Sequence, residues 1–254
     1  MKDLIFEVHD GVATISINRP QARNALALQT MAELDEAITA LGDEARVLVV
    51  RGAGDRAFCA GGDLKELEGM RSAEEAAEMA RGMRATLDRL PGLPIPVIAA
   101  LNGDALGGGA ELAIACDFRI AASHARFGFP QISLGLMLAW GGTERLASLV
   151  GRGRSMHALL TGRIYTAPEA FSAGFVEEVV PADRFDERMA TLARAIASAP
   201  RDAVAGIKRS VNAIHPHRHP HLAEETIEAF ARTWADPAHW ERAAVMERRR
   251  QERR

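Results

Sequence analysis

In the segment NGDALGGGAELA, residues 102–113, three consecutive glycines are followed two residues later by an acid, Glu111. The apolar pattern predicts a helix over about 107–115, whose first amide groups would lack partners within the helix and carry the positive end of its dipole. Without β-carbons, the glycines would let a carbonyl oxygen approach those amides. Glu111 follows Gly108 by three residues, so its carboxyl lies on the same helix face, about 4.5 Å further along the axis. An amide donor beside a carboxylate is what proton transfer next to a carbonyl requires.

Two other interpretations of this segment stay open from its residues alone. The glycines could form a tight packing turn, with Glu111 in a salt bridge to Arg119 or Arg145. They could also form a phosphate loop, although the lysine and the hydroxyl residue that follow the glycines of such a loop are missing.

A second glycine turn, FCAGGDL over residues 58–64, follows a predicted buried strand and could supply a second amide donor. Its Cys59 has apolar neighbours and no nearby histidine, so the sequence favours packing over a nucleophilic role. Asp63 fits a turn or a helix cap. Cys59 and Cys116 are the two cysteines of the chain, and they predict buried thiols rather than a disulfide framework or a zinc site.

Composition bounds the class of protein. The chain has 254 residues, of which 48% are hydrophobic and 26% charged, enough for one large core. Its net charge of -3, with both signs mixed, gives no continuous basic face and argues against a nucleic-acid partner. No apolar run could span a bilayer and no secretory pattern is visible, so we expect a soluble, cytoplasmic protein without a membrane partner. Two prolines among the histidines of residues 215–221 favour a linker there, and we expect no metal site.

Apolar periodicity predicts an α/β order of elements. The predicted strands are residues 12–17, 46–51, 96–101 and 118–122. The predicted helices are residues 28–41, 74–90, 107–115, 202–214, 222–235 and 238–253. Because residues 74–90 are charged and rich in alanine, we expect that helix on the surface.

Taken together, these motifs resemble the crotonase superfamily, the enoyl-CoA hydratases and isomerases. FCAGGDL and NGDALGGGAELAIACDFRIA are similar to its two oxyanion-hole signatures, NRPQARNAL to its opening motif, and FGFPQISLG followed by GGTERL to a later segment. The likeness extends from Val12 to about Pro181. It implies an α/β spiral core of strand-strand-helix turns over residues 1–198, and a helical C-terminal region over residues 199–254 that serves a homotrimer or a dimer of trimers.

The resemblance also implies a substrate and a set of binding residues. The substrate is an acyl-CoA, and no cofactor is implied beyond the CoA that the substrate itself carries. The amides of Gly62 and Gly108 would hold the thioester oxygen. The CoA contacts would involve Arg23, Ala60, Leu64 and Lys65, although Arg23 and Lys65 could equally be ordinary solvated charges.

One position departs from the hydratase pattern. Glu111 matches the first catalytic glutamate of the hydratases, but Gln131 stands where the second is expected. An amide can orient water or hydrogen-bond the remaining acid, but it cannot accept the proton. Three reactions therefore stay open: hydration with Gln131 positioning water, proton transfer between carbons in an isomerase, and decarboxylation of a methylmalonyl- or ethylmalonyl-type thioester.

Two further residues bear on this choice. Trp140, in the sequence WGGT, resembles the ethylmalonyl-CoA decarboxylase branch as a pocket residue, and otherwise fits a core aromatic. Asp104 places a charge beside the glycines, where it would face solvent or a polar acyl group. We expect an enoyl-CoA hydratase, a lyase. The alternatives from other classes are a catalytically idle acyl-CoA-binding protein and a purely structural oligomer.

Overall fold

The computed structural model describes residues 1–214 and 220–252, apart from the side chains of residues 220, 221 and 250. His215, His217 and His219, and the side chain of His221, therefore lie outside what the structure describes. The strands are β1 Leu4–His9, β2 Val12–Ile17, β3 Val47–Gly52, β4 Ala57–Cys59, β5 Val97–Leu101, β6 Asp104–Leu106, β7 Phe118–Ala122, β8 Arg126–Gly128, β9 Ile164–Thr166 and β10 Glu178–Val180.

Helices connect and cover these strands. They are α1 Leu28–Thr39, α2 Leu64–Leu67, α3 Ala73–Arg89, α4 Gly108–Ala115, α5 Gly142–Thr161, α6 Ala167–Ala173, α7 Phe185–Ser198, α8 Arg201–Ile214, α9 Pro220–Ala235 and α10 Pro237–Gln251. A short 3-10 helix, Pro130–Leu134, lies between β8 and α5. None of the helices in the described part of the chain is long and apolar enough to cross a membrane.

The strands form two sheets. The larger has the order β1-β2-β3-β5-β7-β10, and the smaller has the order β4-β6-β8-β9. All neighbours pair in parallel except β1 with β2 and β8 with β9. Each successive strand pair, β3 with β4, β5 with β6 and β7 with β8, puts its first strand in the larger sheet and its second in the smaller one. A helix follows each pair, so the predicted α/β spiral of strand-strand-helix turns is confirmed.

The central strands β3 and β5 of the larger sheet are buried on both faces, as their continuous apolar runs predict. Val47, Val49 and Ile98 point to one side, where they pack against Phe185 and Met189 of α7. The alternate residues of the same strands, such as Leu48 and Val50, join the main core with α1, α3 and α4. This two-sided burial makes the sheet a rigid base for the loops at its edge.

The C-terminal helices fold back onto their own chain. Helix α9 packs along α3, and α10 contacts the 3-10 helix Pro130–Leu134. Trp234 donates from Nε1 to the carbonyl of Met70 at 2.7 Å, and the ring Nδ1 of His239 lies 2.9 Å from the Leu134 carbonyl. The expected surface position of α3 holds for one face of the helix, where Glu74, Glu78 and Arg81 are exposed. Its other face packs against α9 and the core and buries Met79, Met83 and Leu87.

Candidate active site

The two glycine turns lie side by side at the edge of the smaller sheet. A β-carbon on Gly61 would lie 3.3 Å from the amide nitrogen of Gly108. The first turn is fixed by its pairing with Leu26, whose amide donates to the Gly61 carbonyl and whose carbonyl accepts from the Asp63 amide. Gly108 is the first residue of α4. Within residues 1–214 and 220–252, neither the Gly62 nor the Gly108 amide donates to another backbone group, so both can bind an oxyanion.

Glu111 projects from the first turn of α4 and is buried, with 3% of its surface exposed. Its Oε2 accepts from the amides of Trp140 at 2.9 Å and Gly142 at 3.1 Å. Gly142 begins α5, so the carboxylate lies at the positive end of a second helix dipole. A β-carbon on Gly142 would lie 2.6 Å from this carboxyl, and only glycine permits the contact.

Burial sets the acidity of this carboxyl. It raises the pKa of Glu111 to about 7, against the lowering effect of the two backbone hydrogen bonds and of nearby Arg145. A pKa near neutrality lets one group accept and return a proton under physiological conditions. The salt bridge considered for Glu111 is not formed among the described residues, because Arg119 pairs with Glu177 and Arg145 with Asp88.

Gln131 lies directly beside Glu111. It projects from the 3-10 helix after β8 and donates from Nε2 to Glu111 Oε1 at 3.3 Å. Its own Oε1 is buried and accepts no hydrogen bond from the described residues. The side-chain amide of Gln131 therefore offers a hydrogen-bond acceptor next to the Glu111 carboxyl. An O–H group of a bound molecule is suited to donate to it.

A buried group of charges stands behind this carboxyl. Arg145 donates from Nη1 to the Trp140 carbonyl at 2.6 Å and pairs with Asp88. Arg84 pairs with Glu144 at 2.8 Å in the same region. Arg145 thus holds the carbonyl of the residue whose amide donates to Glu111, which makes it a candidate positioning residue for that carboxyl.

The residues predicted to contact CoA are brought together around the first glycine turn. The Ala60 amide donates to the carbonyl of Arg23 at 3.1 Å, and Leu64 and Lys65 begin α2 just beyond the turn. Leu64 is half-buried, whereas Arg23 and Lys65 are exposed. Neither cation forms an ion pair within the described ranges, so both can reach an anionic ligand.

Three buried residues that sequence reasoning did not select tie the first turn and the loop before it to neighbouring segments. Arg19 pairs with Asp63 at 2.9 Å and donates to the Ala25 carbonyl at 2.6 Å. Asn24 donates to the Ala57 carbonyl at 2.7 Å, and Asn102 donates to the carbonyl and accepts from the amide of Gly52. A polar residue directly after a buried strand, as at Asn102, was the available signal. Asp63, predicted as a turn or cap, stands at the N-terminus of α2.

Other flagged residues are accounted for outside the reacting centre. Cys59 and Cys116 are free and buried, and burial raises the pKa of each thiol to about 12, which is incompatible with a thiolate nucleophile at neutral pH. Asp104 pairs with Arg126 across β6 and β8, with Nε to Oδ1 at 3.1 Å. Its charge is thus used in a cross-strand ion pair.

Comparisons with known proteins identify the family of the chain. The model of the enoyl-CoA hydratase/isomerase family matches residues 7–251. Crotonyl-CoA hydratase of Syntrophomonas wolfei is 40% identical over 213 residues, or 83% of this chain and 82% of the relative. Short-chain-enoyl-CoA hydratase of Clostridium acetobutylicum is 39% identical over 214 residues, with 84% and 82% covered.

Comparison with a solved structure shows the same similarity in three dimensions. The crystal structure of enoyl-CoA hydratase from Bacillus anthracis matches with a TM-score of 0.81 and 38% identity, covering 91% of this chain and 90% of that one. The fold is that of the crotonase superfamily. Within it, the chain belongs to the enoyl-CoA hydratase/isomerase family.

Proposed function

We propose that this protein catalyses the reversible addition of water to a 2-enoyl-CoA. The observation that carries the proposal is the position of the buried Glu111 carboxyl, one helical turn from the available amide of Gly108 and next to the first glycine turn. A proton carrier beside two oxyanion donors is the arrangement that the proposed reaction requires. The relatives named above as crotonyl-CoA and short-chain-enoyl-CoA hydratases support the choice of substrate class.

In the proposed reaction, the Glu111 carboxylate takes a proton from water while the water oxygen bonds to C3 of the enoyl group. The double-bond electrons move toward the thioester, and the resulting enolate oxygen is held by the Gly62 and Gly108 amides. Glu111 then returns the proton to C2, which completes the 3-hydroxyacyl product. Gln131 orients the water through its Oε1, which the described residues leave without a donor. The CoA belongs to the substrate, and the steps need no metal or further cofactor.

Binding of the CoA part is assigned to the surface around the first glycine turn. The exposed cations of Arg23 and Lys65 suit its phosphates, and the backbone at Ala60 together with Leu64 suits its less charged parts. Ala60, Leu64 and Lys65 lie within three residues of Gly62, and the Arg23 carbonyl accepts from the Ala60 amide, so CoA binding there would bring the thioester to the oxyanion amides.

A second candidate chemistry, proton transfer by Glu111 without activation of water, follows from Gln131. It covers two reactions. A single carboxyl with a pKa raised to about 7 fits proton transfer between C2 and C4 in an enoyl-CoA isomerase, or protonation of the enolate left when an ethylmalonyl- or methylmalonyl-type thioester loses carbon dioxide. Neither reaction needs a second acid to activate water. An idle acyl-CoA-binding protein would keep the same oxyanion site without turnover.

We further propose a cytoplasmic homotrimer or dimer of trimers acting in fatty acid β-oxidation. Support for assembly comes from α8, where Ile207, Val211 and Ile214 recur on one exposed face, with 67%, 52% and 74% of their surfaces accessible. The division into a core over residues 1–198 and a helical region over residues 199–254 stays a prediction. Sedimentation of the purified protein measures the assembly directly.

The reaction is tested by mass spectrometry of crotonyl-, 3-hexenoyl-, methylmalonyl- and ethylmalonyl-CoA after incubation with the protein, with a Glu111→Ala control. Gain of one water on crotonyl-CoA, lost in the control, supports hydration. Isomerisation of 3-hexenoyl-CoA leaves the mass unchanged and is followed by the ultraviolet absorbance of the conjugated 2-enoyl thioester. That absorbance, or loss of carbon dioxide from a malonyl ester, would replace hydration by the second candidate. Tight butyryl-CoA binding with every ester unchanged would identify an idle binder.

A further inference from the structure

The indole of Trp140 lies against both glycines that carry the proposed oxyanion amides. A β-carbon on Gly108 would lie 2.0 Å from Cζ3 and 2.6 Å from Cη2 of this ring, and one on Gly62 would lie 3.9 Å from Cη2. These atoms belong to the six-membered ring, so its carbon edge borders the glycines and Nε1 does not. The ring therefore forms an apolar wall beside the oxyanion pair.

Hydrogen bonds to the backbone of Trp140 and the packing of its ring hold this wall in place. The amide of Trp140 donates to Glu111 Oε2 at 2.9 Å, and its carbonyl accepts from Arg145 Nη1 at 2.6 Å. The residue is 5% exposed and belongs to the main hydrophobic core. Since the backbone is bonded on both sides and the ring is packed, the indole has little room to move aside.

The position of this ring bears on the acyl group of the substrate. With the thioester oxygen between the two glycine amides, C2 and C3 must lie within reach of the Glu111 carboxyl, which is bonded to the Trp140 amide. The acyl carbons beyond C3 then extend into the space that the indole of Trp140 borders.

We propose that the indole of Trp140 restricts the acyl pocket, so that the protein selects short apolar acyl groups such as crotonyl over long ones. The inference rests on the proposed function, because it takes Gly62 and Gly108 as the oxyanion donors. It goes further in assigning the limit on chain length to one side chain.

The chain-length preference of the unaltered protein is the first test. We expect kcat/KM for crotonyl-CoA to exceed that for 2-decenoyl-CoA by at least about 100-fold, since a single misplaced methylene changes this ratio by roughly 10- to 200-fold. We expect butyryl-CoA to bind more tightly than decanoyl-CoA in calorimetry, a measurement in which neither saturated ester is turned over. Equal handling of both lengths would overturn the inference and leave the proposed hydration intact.

Two variants locate the limit at this side chain. Trp140→Ala should reduce the ratio by at least about 10-fold by admitting the longer chain, and Trp140→Phe, which keeps a ring and guards against loss of folding, should reduce it less. Trp234→Phe, at a buried tryptophan of α9, is the matched control and should leave the ratio unchanged. A ratio unaffected in both Trp140 variants would overturn the assignment. If no ester is hydrated, the proposed function fails, and the binding ratio still decides the chain-length limit.

Discussion

Replacing Glu111 by glutamine should stabilise the folded protein while removing its activity. The Oε2 of Glu111 accepts both backbone hydrogen bonds, from Trp140 and Gly142, and the single oxygen of a glutamine can accept the same two. The new Nε2 group takes the place of Glu111 Oε1, which Gln131 Nε2 now faces, and it can donate to Gln131 Oε1 once the Gln131 amide has turned over. Glu111→Gln therefore reproduces the protonated acid and removes only the burial of a charge.

The size of the effect follows from the raised acidity constant. Burial raises the pKa of Glu111 from 4.5 to about 7, which corresponds to about 3 kcal/mol, because each tenfold change in proton binding is about 1.4 kcal/mol. Above pH 4.5 the unfolded chain releases this proton, whereas the folded chain keeps it until about pH 7. The unfolded state therefore binds fewer protons in this window, and the stability of the unaltered protein falls as the pH rises.

Denaturant unfolding at pH 5 and pH 8 measures this difference. The advantage of Glu111→Gln over the unaltered protein should grow by about 2.5 kcal/mol between the two pH values. Glu36→Gln, the same substitution at an exposed position of α1, controls for the general effect of removing one glutamate. Hydration of crotonyl-CoA should fall by about 10²- to 10⁴-fold in Glu111→Gln, with butyryl-CoA binding retained. An advantage that does not depend on pH, or turnover that is unchanged, would refute the reasoning.

Two further substitutions test the site and its support. Gln131→Glu puts a second carboxyl within hydrogen-bonding distance of Glu111, and should raise kcat for crotonyl-CoA hydration about 10-fold if one carboxyl limits the reaction; no gain would favour the second candidate chemistry. Lys208→Met removes a buried cation of α8 that pairs with Asp117 and donates to the carbonyls of Leu90 and Ile95, and should lower the free energy of unfolding by about 3 kcal/mol. An unchanged denaturation midpoint would show that Lys208 does not anchor α8 to the core.

Elements with a sustained apolar period could be predicted from the sequence because burial on one side imposes that period locally. The predicted strand 12–17 is β2, and the predicted helix 107–115 is α4 with a start one residue later. The three-residue strands of the smaller sheet are too short to show a period. Helix α5 was missed because Gly151 interrupts it with a φ of 77 degrees. Strand β1 was also missed, although Asp10 and Gly11, both at positive φ, form the Asp-Gly turn typical of a hairpin.

The sequence by itself determined the glycine turns, the acid three residues beyond Gly108, and the substitution of an amide at Gln131, because each depends on residue type and short spacing. Only the tertiary structure decided how acidic Glu111 is and what holds it. Its backbone donors and the Arg145 brace lie 29 to 34 residues away in the chain and act through packing and shared hydrogen bonds. The place of the Trp140 ring over the two glycines was decided in the same way, since contacts between distant segments exist only once the core has formed.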